Sequence, residues 1–140
     1  MKTKITIALL CLVSIQFNLL SQGCKQEIIG AWRCVGSVHG GVRAQIKNTY
    51  FVKYISKTSF SWISSSMDTK IIRSAMGGTC SYDGQTYIES IAYIGPDMTR
   101  FLGKKHVFKV DIKGNKMHLS GKMSDKVYIE EDWVRIDPQP

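Results

Sequence analysis

Proline is scarce in this chain, three residues in 140, and cysteine is limited to four. With twelve glycines, this describes a chain that turns often without containing a Pro-rich linker. Four cysteines are too few for the disulfide-dense scaffolds of small secreted domains. No apolar run approaches the roughly 20 residues that a transmembrane helix needs. After Cys24, no apolar stripe recurs at helical spacing over a useful length. Acidic residues are the minority, 11 against 19 Lys and Arg, for a formal charge of +8. The length fits one domain with its own core and excludes a multidomain enzyme or a polytopic membrane protein. Apolar residues at 44% and charged residues at 21% describe an ordinary globular chain rather than a disordered one.

What is present begins with an export leader. Lys2 and Lys4 precede the mostly apolar run Ile5–Ile15, which Gln16 and Asn18 then interrupt. A basic start and a short apolar stretch are the layout of a secretory signal peptide. Residues 1–23 are therefore predicted as leader and residues 24–140 as the mature domain. Leu20-Ser21-Gln22-Gly23-Cys24 resembles a bacterial lipobox, whose cysteine is lipidated and becomes the first mature residue. With small Ser21 and Gly23, the same stretch also suits an ordinary signal peptidase. The expected location is the cell envelope, as an outer-membrane or periplasmic lipoprotein held to the membrane through Cys24, or otherwise the exterior as a secreted protein. Loss of Lys2 and Lys4 leaves 17 basic residues against 11 acidic, a charge of +6. The remaining lysines are scattered, with Lys104-Lys105-His106 the tightest cluster. An exported protein of this kind does not read as a nucleic-acid binder, and its basic surface reads as a solvated one.

The body of the chain alternates apolar and polar residues in short segments separated by glycine-bearing turns. Strands are predicted near Ile28–Val38, Thr49–Ile55, Ser59–Ser65, Ile71–Tyr82, Thr86–Ile94, Lys105–Ile112, Lys116–Lys122 and Tyr128–Ile136. Tyr82-Asp83-Gly84-Gln85 suits a type I′ hairpin with positive φ at both central residues, and Lys113-Gly114-Asn115 marks a second tight turn. Phe108, Val110 and Ile112 share one face against Lys109 and Asp111. Met117, Leu119 and Met123 do the same against His118, Ser120 and Lys122. So many antiparallel strands imply a meander closed into a barrel, or a two-sheet sandwich. The last strand favours the barrel. Ile129, Glu131, Trp133 and Arg135 share a face, and buried charge is tolerated only when paired. A cavity with polar anchors accommodates that arrangement and a dry sandwich core does not. The expected fold is all-β, an antiparallel up-and-down β-barrel of about eight strands.

Gly30-Ala31-Trp32 near the start and Trp133-Val134-Arg135 near the end resemble the calycin pattern of lipocalins. Between them lie Gly78-Thr79-Cys80-Ser81-Tyr82, Thr86–Tyr93, Gly103-Lys104 with Phe108 and Val110, Gly121-Lys122 and Glu130-Glu131-Asp132-Trp133. Over residues 28 to 136 this series resembles the small bacterial lipocalin-like domains of unknown function. The resemblance implies a lipocalin-like barrel in which Trp32 plugs one end and Arg135 packs over it. His106-Val107 departs from the aromatic pattern usual before Phe108, so the lining there is expected to differ.

A barrel of eight strands either fills with side chains or holds one small ligand. The candidate lining is Trp62, Tyr87, Glu89, Ile91, Tyr93, Phe108, Met117, Leu119, Glu131 and Trp133. The expected function is non-catalytic binding of a small apolar or amphipathic molecule at the envelope. The alternative is a filled barrel that docks an envelope protein through the Gly36–Asn48, Ser64–Lys70 and Gly95–Gly103 segments. Glu89 and Glu131 lie on distant strands and do not read as a catalytic pair, and Arg135 is the ion-pair partner expected for these carboxylates. His39, His106 and His118 lack metal-ligand spacing, and no serine sits in a glycine-flanked elbow. No cofactor is expected. Cys34 and Cys80 fall on nearly opposite strands, whereas a disulfide needs Cα atoms about 4.4–6.8 Å apart, so two separate buried thiols are expected.

Overall fold

Period-two alternation dictates strands here, and the chain forms nine of them among the described residues. The computed structural model describes residues 23–44, 46–124 and 127–136. Apart from Gly23, the leader expected over residues 1–23 lies outside them. The strands are β1 (Gly30–His39), β2 (Val42–Ala44), β3 (Thr49–Ile55), β4 (Ser59–Ser66), β5 (Ile72–Tyr82), β6 (Thr86–Ile94), β7 (Lys105–Lys113), β8 (Lys116–Ser124) and β9 (Val127–Arg135). A single 3-10 turn, Gln26–Ile28, precedes β1, and a longer one, Pro96–Phe101, joins β6 to β7.

From β3 to β9 each strand pairs antiparallel with the next, and β9 returns to pair with β1. The lower half of β1 (Gly30–Arg33) pairs with β3, and the upper half (Ser37–His39) pairs with the short β2. Eight long strands thus close into an up-and-down antiparallel barrel, with β2 filling the gap beside upper β1. The β1–β9 ladder closes the sheet on itself, so the long strands form a barrel and not a sandwich. The strand β2 lies within the expected loop Gly36–Asn48; all three of its residues are exposed, so it carries no alternation for a sequence reading to detect. The interior is filled mainly by Trp32, Phe60, Tyr87, Phe108, Met117, Leu119 and Trp133.

Two irregularities set which side chains face in. In β1 the register with β9 shifts between Cys34 and Gly36, leaving Val35 unpaired and 49% exposed. Trp32 and Cys34 face the interior below this bulge, and Ser37 is buried above it. In β6 the register with β5 skips Ala92, because Gly78 pairs with Ile91 and Gly77 with Tyr93. Such a bulge bends the strand and re-aims the side chains beyond it. The Asp83-Gly84 turn also departs from expectation. Only Gly84 has positive φ, at 104°. Asp83 Oδ1 accepts the backbone N–H groups of Gln85 at 2.9 Å and Thr86 at 2.7 Å, so the side chain rather than a type I′ backbone organises the turn.

One barrel end is closed by side chains. Trp32 is fully buried and its Nε1 donates to Ile28 O at 2.8 Å. The Arg135 guanidinium lies 4.1 Å from the Trp32 ring centroid. Its Nη1 and Nη2 donate to the carbonyls of Ile29 and Glu27, each at 2.7 Å. A Cβ at Gly30 would meet Arg135 Nη1 at 2.5 Å, and Gly30 has φ of 142°. Glycine is needed there both for the conformation and for the approach of the cation. Lysine keeps the charge of Arg135 but not the planar fork or the stacking. Arg135→Lys is therefore expected to lower unfolding free energy by about 1–3 kcal/mol in urea denaturation. An unchanged midpoint would mean that the guanidinium does not hold this end.

Candidate functional site

The opposite half of the barrel holds a buried charged cluster among mainly apolar side chains. Lys53 comes from the middle of β3, where alternation places it on the inner face with Phe51 and Ile55. Its Nζ bonds Glu89 Oε1, from β6, at 2.7 Å, and both side chains are 4% exposed. Aromatic rings surround the ammonium group: its Nζ lies 5.1 Å from the Trp133 centroid, 5.6 Å from Tyr87 and 5.8 Å from Phe108. A buried charge is stable only with such partners, and ring faces add cation–π attraction. Burial works against the charge of Lys53, but Glu89 and Glu131 outweigh it and hold its pKa above the ordinary lysine value.

Glu131, from β9, is the second carboxylate of this cluster, and Trp133 Nε1 donates to its Oε2 at 3.1 Å. Burial raises the Glu131 pKa, and nearby Lys53 opposes the rise. His106 is buried in a T-shaped arrangement between Phe101, at 5.4 Å, and Phe108, at 6.0 Å. Its Nε2 finds no hydrogen-bond partner among the described residues. Burial lowers its pKa, with Glu89 pulling the other way. The Cys34 thiol, whose Sγ donates to Gly36 O at 3.2 Å, is pushed up to about 12 by burial and by Glu131.

Two interior cavities border this cluster. One, of about 110 Å3, is walled by Lys53, Glu89, Met76, Met98, Phe108 and Met123, with His106 and Ile129 also on its lining. The other, of about 200 Å3, is walled by Cys34, Ser37, Ala44, Ile46, Phe51 and Trp133, with Thr49 beside them. His39, Trp62 and Glu131 line both, so the two compartments meet at these side chains. Trp62 is braced there by a stacked contact with Phe51 at 5.6 Å. Both cavities lie toward the barrel end that carries β2 and the Pro96–Phe101 turn, away from the Trp32–Arg135 plug.

Of the residues expected from sequence to line a cavity, Trp62, Glu89, Phe108, Glu131 and Trp133 do so. Tyr87, Ile91, Met117 and Leu119 are buried in the packed core but line neither cavity. Tyr93 is a correction. The Ala92 bulge turns it outward, where it is 53% exposed and its hydroxyl lies 2.8 Å from Ser61 Oγ. Its ring lies across Gly77, which has no Cβ to obstruct it. The expected partnership of Arg135 with the interior carboxylates is also corrected. Arg135 is engaged by backbone carbonyls at the closed end, and Lys53 takes its place beside Glu89. Lys53 was legible, since it shares a face with Phe51 and Ile55. His39 was not, since it lies beyond the bulge in β1.

Cys34 and Cys80 are separate buried thiols, as expected, and the Cys80 thiol faces Cys24, with the two Sγ atoms 3.1 Å apart. Among the described residues, no group of three or more His, Cys, Asp and Glu is placed to hold a metal ion.

No family model matches this chain, and no curated protein matches its sequence. Among solved structures it is similar to a mutant of the fluorescent protein UnaG, at 13% identity and a TM-score of 0.44, over 80% of this chain and 98% of that one. It is also similar to the REP1-NXSQ fatty acid transporter, at 16% identity and a TM-score of 0.43, over 82% and 100% of the two chains. Both likenesses are distant, and the barrel assignment rests on the strand pairing itself.

The cluster makes two predictions. Lys53→Met leaves the Glu89 carboxylate buried and unpaired, and is expected to cost about 3–5 kcal/mol in chemical denaturation. Lys53→Met with Glu89→Leu removes both charges and should recover most of that loss; a double variant as unstable as the single one would count against the pair. The second concerns His106. Because its folded pKa lies below 6.5, it contributes stability above that pH, and the contribution is lost as pH falls from 6.5 through the folded value. Stability of the native protein should therefore fall relative to His106→Phe as pH drops below 6.5. A constant difference across that window would contradict the assignment.

Proposed function

We propose that this chain is an exported, non-catalytic binding protein that holds one small amphipathic molecule in the open half of its barrel. The observation that carries this reading is the pair of adjoining cavities whose mainly apolar walls carry the charged or titratable groups Lys53, Glu89, Glu131, His39 and His106, with Ser37 and Thr49 as neutral polar groups on the larger one. Apolar walls with a few polar groups are the usual make-up of a ligand site. An apolar cavity of about 150 Å3 accepts benzene, so the larger compartment, at about 200 Å3, suits a single ring or a short branched chain. Movement of Trp62 would join the two and admit a longer molecule.

The polar groups select the chemistry of the ligand's polar end. Two carboxylates face one ammonium in the interior, so an incoming carboxylate meets repulsion from Glu131 after Lys53 is already committed to Glu89. A head group that donates hydrogen bonds, such as an amine, alcohol or phenol, meets Glu131 as acceptor. The leader read over residues 1–23 supports export to the cell envelope or beyond. Anchoring through Cys24 would require its sulfur outside the barrel, whereas Cys24 is 6% exposed.

A second reading, a barrel that docks an envelope protein, draws on exposed Met67, Ile71 and Ile72 around the β4–β5 turn at the open end. Thermal-shift titration with matched short amines, alcohols and carboxylates separates the readings. Amines and alcohols should raise Tm saturably and carboxylates should not, and Glu131→Gln should weaken amine binding about tenfold, or ~1.4 kcal/mol. Carboxylates binding as well as amines would overturn the head-group assignment. Failure of the whole series, with no bound small molecule in native mass spectrometry of the exported protein, would overturn ligand carriage in favour of docking.

A further inference from the structure

We propose that Cys24 and Cys80 form a disulfide in the exported protein, stapling the segment ahead of β1 to the end of β5. Four observations place the two sulfurs together. The Sγ atoms lie 3.1 Å apart, and both residues are buried, at 6% and 8% exposure. The Cys24 backbone N–H donates to Lys57 O at 2.6 Å, in the β3–β4 turn. Cys24 bridges in parallel to Tyr82, and the Lys25 N–H donates to Tyr82 O at 3.1 Å. Finally, Gly23 packs so closely on Lys57 that a Cβ there would meet its carbonyl oxygen at 2.6 Å. Backbone contacts thus hold Cys24 in position from two sides, and the approach of the thiols does not depend on a loose tail.

Formation of the bond breaks two S–H bonds and makes one S–S bond. Two protons go to solvent, and two electrons reduce the disulfide of an exchange partner, either an oxidised dithiol oxidoreductase or oxidised glutathione, to two thiols. Either thiol can open that exchange, because the contact between the two sulfurs stabilises whichever one is the thiolate. Cys34 does not compete, because its Sγ bonds Gly36 O inside β1.

The bond excludes lipidation at the same residue. A lipid thioether would occupy the Cys24 sulfur with a group far larger than its buried position admits. The two fates therefore give different products from one sulfur.

The test expresses the full chain with its own leader in a bacterial host that exports it to an oxidising periplasm. The harvested protein is denatured in N-ethylmaleimide, digested and mapped by mass spectrometry without reduction. The expected result is a peptide pair joined through Cys24 and Cys80, with Cys34 alkylated. Alkylation of both Cys24 and Cys80, a diacylglyceryl thioether on Cys24, or a bond from Cys80 to Cys34 would each overturn the proposal. Reduction supplies a second reading that needs no variant. Dithiothreitol should lower the Tm of the wild-type protein by on the order of 10 °C. Cys34→Ser should retain the joined peptide and the drop, and an unchanged wild-type Tm would count against a stapling role. None of these outcomes depends on ligand carriage.

Discussion

The buried Lys53–Glu89 pair is the constraint around which the interior is organised. It joins β3 to β6 across the barrel, and neither partner can be removed alone without stranding a charge in a poorly solvated space. The aromatic rings of Tyr87, Phe108 and Trp133 are placed to solvate the ammonium group by their faces. Side chains that solvate a cation cannot also interdigitate as an all-apolar core would, and the adjoining space is what remains. The same pair sets the state of its neighbours. Lys53 restrains the rise in the Glu131 pKa, and Glu89 partly offsets the effect of burial on His106. A single ion pair thus fixes the charge pattern that any molecule entering the barrel meets.

The strands were legible from alternation alone. The predicted limits of the strand Thr49–Ile55 coincide with β3, and Thr86–Ile94 coincide with β6. Period-two patterning is local and survives whatever the rest of the chain does. The inward phase was legible only where no residue intervened. Phe108, Val110, Met117 and Leu119 face in as their alternation implied. A bulge inserts one residue and inverts every assignment beyond it. That is why Tyr93, on the face of Tyr87 and Glu89 by simple counting, ends outside, and why His39 arrives at the cavity unannounced. Gly77-Gly78 opposite Ala92 was the available signal, since only side chains without Cβ admit the ring of Tyr93 and the carbonyl of Ser90 so closely.

Cys24 shows a different limit. Reading Leu20–Cys24 as a processing site left Cys24 out of the pairings considered for Cys80, whereas Cys24 is buried against it. Its neighbour in space, Cys80, is 56 residues away. Pairing at that separation depends on how the segment before β1 crosses the barrel base, and composition carries no trace of it. Trp32 and Arg135 lie even farther from one another in the chain, yet were legible because the motif resemblance linked them.

These features divide the barrel into two unlike ends. At the base, Trp32, Arg135, the 3-10 turn and the Cys24 segment are tied by hydrogen bonds of 2.6 to 3.3 Å into fixed geometry. At the mouth, the lining includes Met76, Met98 and Met123, which are unbranched and adapt to irregular shapes. Trp62 stands between two cavities there and stacks on Phe51. Adaptability at the mouth is tolerable only because the base does not depend on it: closure of the β1–β9 ladder keeps the cylinder intact while mouth side chains move. The polar cluster lies between the two regions: Lys53 and Glu89 are 4% exposed yet line the smaller cavity, and Glu131 lines both. That placement gives the cavities a charge pattern as well as a shape, with Lys53 committed to Glu89 and Glu131 left on the wall of both.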